Sequence, residues 1–362
     1  MKILLDGRSI NRTGIGTYTK MLIFGLKERE DIHLKIIGDE KEINSSFRDL
    51  EVVRTSNSIY SLEEQISTLL AEIMSNDADI VHYTNYNKSL FSVKPYIITI
   101  HDLIQFKFEY GSKLKRKVAE ALLKNAVINA RAVICVSNST KNDLLELIPN
   151  LDHSKVHLVY NSSTNPLAGK VEYVDVKSKY GLDEFLLCVG IRKKHKNLSL
   201  PVKALEILSS RFPKLKLVLV AKRFDKYDFL DETIESSKVK DRIIVLENIP
   251  YEEIVSLYRE TIIVILPSFD EGFGLVPFEA ISNDTLPLVS NIPVMRELFF
   301  EEEDIFFDPY SPENLADKLE TFLNDSGKRE STLSRLKKYT NIYSFERFID
   351  ETVNVYRKVV NS

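Results

Sequence analysis

The chain has 362 residues, enough for two ordinary α/β domains, each with its own core. A hydrophobic share of 44% and a charged share of 28% are those of a soluble globular protein, and a formal net charge of −4 excludes a globally basic nucleic-acid binder. No window approaches the roughly 18 uninterrupted apolar residues that a membrane-spanning helix needs.

The first residues, MKILLDGRSI, run directly into a strand and lack the basic region, apolar stretch and small-residue cleavage site of a secretory signal. The expectation is a cytoplasmic protein, soluble or attached peripherally to a membrane. Strands follow at Lys2–Leu5, Leu34–Gly38, Ile80–Tyr83, Tyr96–Ile100, Ala132–Val136 and Val156–Val159. Helical patterns at Gly16–Glu30, Ser61–Ser75, Lys113–Ala130 and Asn138–Leu147 lie between them, and that alternation predicts a parallel sheet covered by helices. The polar stretch Asn161–Lys179 reads as a linker.

A second series then begins. Strands are expected at Phe185–Val189, Lys216–Val220, Ile243–Leu246, Ile262–Leu266 and Leu286–Ser290. Their helices are expected at Leu198–Arg211, Tyr251–Arg259, Pro277–Ser282 and Pro312–Leu323. Asn341–Val360 carries apolar residues at Phe345, Phe348, Ile349, Val353 and Tyr356, a stripe suited to packing back on the first domain. The expected organisation is α/β: two Rossmann-like parallel-sheet domains, 1–163 and 164–340, facing a central cleft, with 341–362 as a returning helix. Cys135 and Cys188 sit inside apolar strand-like runs and read as small buried hydrophobes, a usage that fits a reducing compartment.

Leu266–Ala280, LPSFDEGFGLVPFEA, is the most informative stretch. A buried strand ends at Leu266, Gly272 and Gly274 allow a tight loop with exposed amides, and Pro277 suits the first turn of a helix. Free N–H groups at a positive dipole end favour a phosphate or a sugar hydroxyl. Glu271 lies on the loop and Glu279 early in the helix, so the two carboxylates can hold different hydroxyl pairs of one extended ligand.

This stretch resembles the E-x7-E signature of glycosyltransferase family four, the large group of retaining enzymes with the two-domain GT-B fold. The resemblance implies that Glu271 contacts the donor sugar and Glu279 the nucleotide ribose, with the amides of Phe273, Gly274 and Leu275 beside the sugar and diphosphate. It makes the first domain the acceptor side and the second the nucleotide-sugar donor side. LLCVGIRKKHKNLSLPVKALEIL is similar to the family's strand–loop–helix that supplies a basic pair to the diphosphate. Lys196, six residues after Gly190, matches the family's lysine, whereas Arg192 stands one residue later than the common arginine. Thr13–Gly14–Ile15–Gly16–Thr17 resembles the family's first loop near the donor phosphate, which assigns Gly14 and Gly16. His101, directly after the strand Tyr96–Ile100, matches a histidine close to the reacting carbon, and Asp102 orients it or binds acceptor. Acceptor contacts are expected in Thr84–Lys88 and Phe106–Ser112.

Beyond Glu279 the family reads A-M-A-C-G-T-P, but this chain reads AISNDTLP. The helix-ending glycine is missing and one residue is inserted, so Asn283 or Asp284 must take the left-handed cap position. Asp77–Ala78–Asp79 spells a D-x-D metal motif, but it precedes a strand and reads as surface. No His, Cys or carboxylate cluster has metal-ligand spacing, so metal-independent chemistry without a cofactor is expected.

The resemblance implies a retaining hexosyltransferase that uses a nucleoside-diphosphate sugar to extend a polysaccharide or lipid-linked glycan, as in lipopolysaccharide or capsule biosynthesis. GIRKKHKN and Phe307–Asp308–Pro309 look like the mannosyl- and rhamnosyl-transferring branch. A GT-B sugar-nucleotide epimerase, a glycogen-synthase-like enzyme and a non-catalytic nucleotide-sugar-binding module remain as alternatives. Finally, SKLKRKVAEALLKNAVINAR gathers Lys113, Arg116, Lys117 and Lys124 on one side of a helix, with Leu114, Val118, Ala121 and Leu122 on another. That pattern predicts weak, salt-sensitive attachment to an anionic membrane surface.

Overall fold

The computed structural model describes residues 1–47, 49–55, 62–108, 110–168, 171–223 and 229–361. Three expected stretches touch positions outside that set: Ser61 at the start of a helix, Glu109 within Phe106–Ser112, and Gly169 and Lys170 within the linker.

Two compact units result, Met1–Leu167 with Tyr343–Ser362, and Ala168–Ile342. The sequence placed the divisions at 163/164 and 340/341. In the N-terminal unit, β1 (Lys2–Asp6), α1 (Thr13–Lys27), β2 (His33–Gly38), α2 (Glu40–Ser46) and β3 (Glu51–Arg54) come first. They are followed by α3 (Leu62–Met74), β4 (Ile80–Tyr83), β5 (Tyr96–Ile100), α4 (Ile104–Lys107) and α5 (Lys113–Asn129). β6 (Ala132–Cys135), α6 (Asn138–Leu147) and β7 (Val156–Leu158) complete the sheet.

The C-terminal unit opens with α7 (Val176–Tyr180), β8 (Phe185–Ile191), α8 (Ser199–Leu208), β9 (Lys216–Lys222) and α9 (Phe229–Glu235). It continues through β10 (Ile243–Leu246), α10 (Tyr251–Glu260), β11 (Ile263–Leu266), α11 (Leu275–Ser282) and β12 (Leu286–Ser290). α12 (Pro293–Leu298), β13 (Phe306–Phe307), α13 (Pro312–Asn324) and α14 (Ser326–Ile342) close it, and α15 (Phe345–Val360) returns to the N-terminal unit.

The strands form two sheets, ordered β3-β2-β1-β4-β5-β6-β7 and β10-β9-β8-β11-β12-β13. Pairing is parallel on both sides of β1 and of β8. Parallel strands need helical crossovers and are buried on both faces, which is why β4, β5, β6 and β11 are buried throughout and β6 and β11 read as unbroken apolar runs. In each sheet the direction of winding reverses beside the first strand, between β1 and β4 and between β8 and β11. Loops leaving the carboxyl ends of such a strand pair diverge to opposite faces and open a crevice, the usual ligand position in this class of sheet. The loops after β8 and β11 carry Lys196 and Glu271, and those after β1 and β4 carry Ser9 and Thr84.

Alternating residues of the N-terminal sheet face two helical layers. Val81, Tyr83, Ile98 and Ile100 share a core with Ala71 of α3 and with Leu123, Ala126 and Val127 of α5. On the opposite side, His82 and Thr99 meet the other layer: Nδ1 of His82 lies 2.6 Å from the Tyr356 hydroxyl of α15, and Tyr18 of α1 bonds Thr99. The expected return of the last helix is therefore observed, through its apolar stripe Phe348, Ile349, Val353 and Tyr356.

Several boundaries differ. Asn341–Val360 is not one helix, because the Ser344 side chain accepts from the Arg347 amide and starts α15 anew after α14 has ended at Ile342. α1 begins at Thr13 rather than Gly16, and α11 begins at Leu275 rather than Pro277. β3 and β13 escaped the sequence reading: one is a half-exposed edge strand and the other only two residues long. Asp77 pairs with Lys2 at 3.3 Å and Lys35 at 3.1 Å, while Asp79 accepts from the Lys2 amide, so this D-x-D ties strand ends at the surface. Both cysteines are buried, and burial pushes the Cys135 thiol up to about 12.

Candidate active site

The C-terminal unit concentrates the chemistry at the ends of β8 and β11. After Leu266 the chain turns through Pro267–Gly274 before entering α11. Gly274 adopts φ +80 at the helix N-cap, a left-handed conformation that favours glycine, and a Cβ there would also have to push aside the Met295 methyl, 2.4 Å away. No side chain among the described residues caps α11, which leaves the N–H groups of its first turn for a ligand. Phe273 stacks on Phe278 with ring centroids 5.3 Å apart, so its ring belongs to the core and its backbone alone faces the turn.

Glu271 is held from two directions. Lys196 Nζ donates to Oε1 at 2.5 Å, and Ser268 Oγ donates to the same oxygen at 2.6 Å. Both bonds use Oε1, which leaves Oε2 for a ligand hydroxyl. Burial alone would push this carboxyl up, but the adjacent Lys196 ammonium wins and holds it below its ordinary range. Lys196 reaches it because the loop after β8 makes a short turn, with Asn197 left-handed at φ +50. The Phe269 amide then donates to the His195 carbonyl at 2.7 Å and fastens the two loops together. His195 itself is buried, and desolvation lowers its pKa to about 4, so the basic loop carries a neutral imidazole beside Lys196.

Glu279 stands on α11, where the Tyr258 hydroxyl of α10 donates to Oε2 at 2.6 Å. Burial raises its pKa, and the Tyr258 hydrogen bond opposes that rise only in part. Asp284 takes the left-handed position with φ +59, one of the two residues expected to replace the missing glycine.

Arg192 is placed elsewhere. Its buried guanidinium pairs with Asp231 at 2.8 Å and Glu247 at 2.9 Å, and Nε donates to the Ala221 carbonyl. The structure thus brings Lys196, Glu271 and the α11 turn together and keeps Arg192 with two carboxylates, Asp231 on α9 and Glu247 just after β10. Beside the turn, Phe269 stacks on Tyr310 at 5.0 Å, and Asn197 Nδ2 donates to the Pro309 carbonyl, so the Phe307–Asp308–Pro309 segment abuts the same loops.

In the N-terminal unit, Gly16 is needed for a close approach: a Cβ would lie 2.5 Å from the Ile10 carbonyl oxygen. Gly14 is exposed, with open space at the same position. Tyr18, one turn further along α1, meets His101 edge-on with ring centroids 4.7 Å apart. His101 Nε2 donates to the Thr84 carbonyl at 2.8 Å, which leaves Nδ1 as an acceptor. Burial lowers its pKa to about 4, so the ring is neutral near pH 7. Asp102 accepts from the Ile104 amide at 3.1 Å, a bond that shapes the start of α4.

Ser268 and Tyr258 were missed by the sequence reading. Ser268 had a signal, since a Ser three residues before a Glu is spaced for a side-chain contact. Tyr258 had none, because its helix pattern does not tell which way one hydroxyl points.

The buried imidazoles have a consequence for stability. His82, lowered to about 3, and His101, lowered to about 4, stay neutral in the N-terminal unit while the unfolded chain protonates near 6.5. The unfolded state then binds more protons, so stability falls as pH drops from about 6.5 towards 4, with a limiting slope on the order of 2–3 kcal/mol per pH unit for two sites. Thermal unfolding followed across that window should show a steadily falling midpoint. A midpoint unchanged between pH 6.5 and 4.5 contradicts the neutral assignment.

Comparison with known proteins fits this site. A family model described as glycosyl transferases group 1 matches residues 171–340, and one described as glycosyltransferase family 4 matches residues 13–162. Together the two matches leave out only the ends of the chain and a short joining stretch. The chain belongs to the group 1 glycosyltransferases. Among curated relatives, the O-antigen chain mannosyltransferase RfbU of Salmonella typhimurium is 29% identical over 201 residues, 56% of this chain and 53% of that protein. This glycosyltransferase therefore aligns with about half of RfbU. The O-antigen chain mannosyltransferase B of Escherichia coli is 25% identical over 271 residues, 72% of this chain and 70% of that one. Among solved structures, Anabaena HepE in complex with UDP and glucose superposes with a TM-score of 0.76 at 16% identity, covering 99% of this chain and 100% of that one. At that identity the likeness carries the fold, which is the GT-B architecture of two parallel-sheet domains.

Proposed function

We propose that this glycosyltransferase moves a hexose, of mannose or rhamnose type, from a nucleoside-diphosphate sugar to a growing polysaccharide or lipid-linked glycan, with retention of configuration. The observation that carries the reading is the Lys196–Glu271–Ser268 cluster on the glycine turn into α11, with Glu279 eight residues further on. The mannose-type choice leans on the O-antigen mannosyltransferases among the relatives, and the donor type on HepE, which was solved with UDP and glucose.

In this reading Glu271 Oε2 accepts a hydroxyl of the donor sugar and Glu279 holds the ribose diol. As the bond between the anomeric carbon and the diphosphate breaks, the departing oxygens gain negative charge. Lys196 Nζ and the uncapped amides of α11 are fixed before the reaction and stabilise that charge more in the transition state than in the ground state. His101, neutral and with Nδ1 open, accepts a sugar or acceptor hydroxyl. The same charge stabilisation comes from protein cations and dipoles, so no metal or tightly held cofactor is required.

Purified protein incubated with candidate donors, with and without a mannose-terminated glycan acceptor, tests this through nucleoside-diphosphate release and product NMR. Acceptor-dependent release, the retained anomer and full activity in EDTA are expected. An inverted anomer, or activity lost to EDTA and restored by magnesium, overturns the mechanism, and release indifferent to acceptor favours an epimerase-like or hydrolytic enzyme.

α5 supports a reading of where the enzyme acts. Its inner face is Leu123, Ala126 and Val127, whereas Leu114 and Val118 point to solvent with exposures of 72% and 52%. The apolar residues of its first two turns do not pack on the sheet, and Lys113, Lys115 and Lys117 stand among them exposed. Reversible attachment of Lys113, Arg116 and Lys117 to an anionic membrane, on its cytoplasmic face, belongs to the proposal.

A further inference from the structure

The helical layer that contains α5 also contains α3 and the segment joining β4 to β5, and the outward side of that layer is apolar well beyond α5. On α3, Ile66, Leu70, Ile73 and Met74 recur at helical spacing, and each is more than half exposed, Met74 by 74%. Beside them Leu90, Phe91 and Val93 stand out from the joining segment, Phe91 with 59% of its surface in solvent.

This segment is built onto the helix. The Leu90 amide donates to Gln65 Oε1 at 2.7 Å and Ser89 Oγ to the Gln65 carbonyl at 3.1 Å. The Val93 amide and Ser92 Oγ donate to Glu72 Oε2 at 2.8 and 3.0 Å. Buried Glu72 thus spends its charge on the segment, and buried Glu64 spends its own on Arg8 at 2.5 Å. Between Ile66 and Met74 the outward face of α3 carries no charge at all. Single exposed leucines are ordinary, but seven large apolar side chains on two adjoining, hydrogen-bonded segments mark a contact surface.

We infer that this face inserts into an anionic lipid bilayer, as the apolar partner of the basic start of α5. The inference rests on the membrane reading of α5 given above. Charge decides the occupant. α5 opens with exposed Lys113, Lys115 and Lys117 and has no acidic residue in its first turn, at the end where the helix dipole is already positive. Cations there meet an unfavourable field unless an anion faces them. An apolar face beside a basic, anion-seeking helix on one layer matches headgroups above acyl chains. A second copy of the chain would bring the same cations against each other.

The sequence contains no tryptophan, so Phe91→Trp supplies a single reporter. With vesicles of equal parts phosphatidylglycerol and phosphatidylcholine at low salt, its emission should shift to the blue and be quenched by brominated acyl chains. The triple change Leu70→Ser, Phe91→Ser and Val93→Ser should weaken vesicle co-sedimentation roughly tenfold or more, since binding scales with the apolar area inserted. Its donor-dependent nucleotide release should stay at the wild-type level, which also shows that the variant folds. Charge reversal at Lys113, Arg116 and Lys117 separates the two ideas. If reversal abolishes pelleting while the indole emission of Phe91→Trp never moves and the triple variant binds normally, α5 keeps its role and the apolar face loses the one inferred here. If the wild type does not pellet, or reversal changes nothing, the α5 reading fails and this inference with it. A doubling of mass in light scattering that the triple variant abolishes overturns the bilayer in favour of a second copy.

Discussion

Lys196→Ala lowers the single-turnover rate at saturating donor by roughly 100-fold or more, the scale on which fixed groups facing developing charge contribute to catalysis. Lys196 is only 18% exposed and already aimed at the mouth of the α11 turn by its bond to Glu271. Its charge therefore costs little reorganisation when the diphosphate departs. The substitution has a second effect within the same site. Glu271 keeps only its Ser268 bond, and burial, no longer opposed by an ammonium, drives its pKa upward. The rate of the variant should then gain a dependence on pH that the wild type lacks, falling as Glu271 takes up a proton at acid pH. Lys196→Arg, which keeps the cation, should recover part of the rate and remove the new pH dependence. Donor binding measured alongside separates a lost transition-state contact from lost affinity, since a fall in rate at saturation with little change in dissociation constant is expected. A near-wild-type rate in folded Lys196→Ala removes this residue from the chemistry.

The features that sequence exposed best were those where backbone geometry leaves little choice. LPSFDEGFGLVPFEA encodes a strand end, a glycine turn and a proline-bearing helix start, and it fixes where Glu271 and Glu279 stand relative to that helix. The start of α11 was misjudged by two residues because Pro277 was assigned the first helical position. In fact left-handed Gly274 caps the helix and Pro277 occupies its third position, another whose N–H has no partner in the helix. Arg192 illustrates the opposite situation. Its partners Asp231 and Glu247 come from an α9 helix and a strand end 39 and 55 residues later, and nothing in GIRKKHKN announces them. Arg192, Lys193, Lys194, His195 and Lys196 form one basic run in sequence, yet the fold neutralised His195 by burial and paired Arg192 with Asp231 and Glu247. Likewise the helical pattern at Ser61–Ser75 did not tell that Ala71, not Leu70 or Ile73, faces inward.

Glu279→Ala should raise the donor's dissociation constant by roughly 10- to 150-fold, the equivalent of about 1.5–3 kcal/mol for a charged hydrogen-bond partner. Turnover at saturating donor should change only a few-fold, because a ribose contact binds ground state and transition state alike. The alanine also strips the buried Tyr258 hydroxyl of its acceptor, so part of its effect can come from a loosened α10–α11 contact. Glu279→Gln distinguishes the two causes. The amide oxygen still accepts from Tyr258 while the negative charge is gone, so stability should be kept and affinity should fall to an intermediate value. Protonation offers a third measure on the wild type itself. Burial raises the pKa of Glu279, so lowering pH neutralises it earlier than an ordinary glutamate, and donor affinity should weaken as pH falls through that raised value. The same titration should be flat at this step for Glu279→Gln, which has no proton to gain there. Unchanged affinity in a folded Glu279→Ala protein, or identical pH profiles for wild type and Gln variant, places Glu279 outside the donor site and leaves its bond to Tyr258 as a purely structural one.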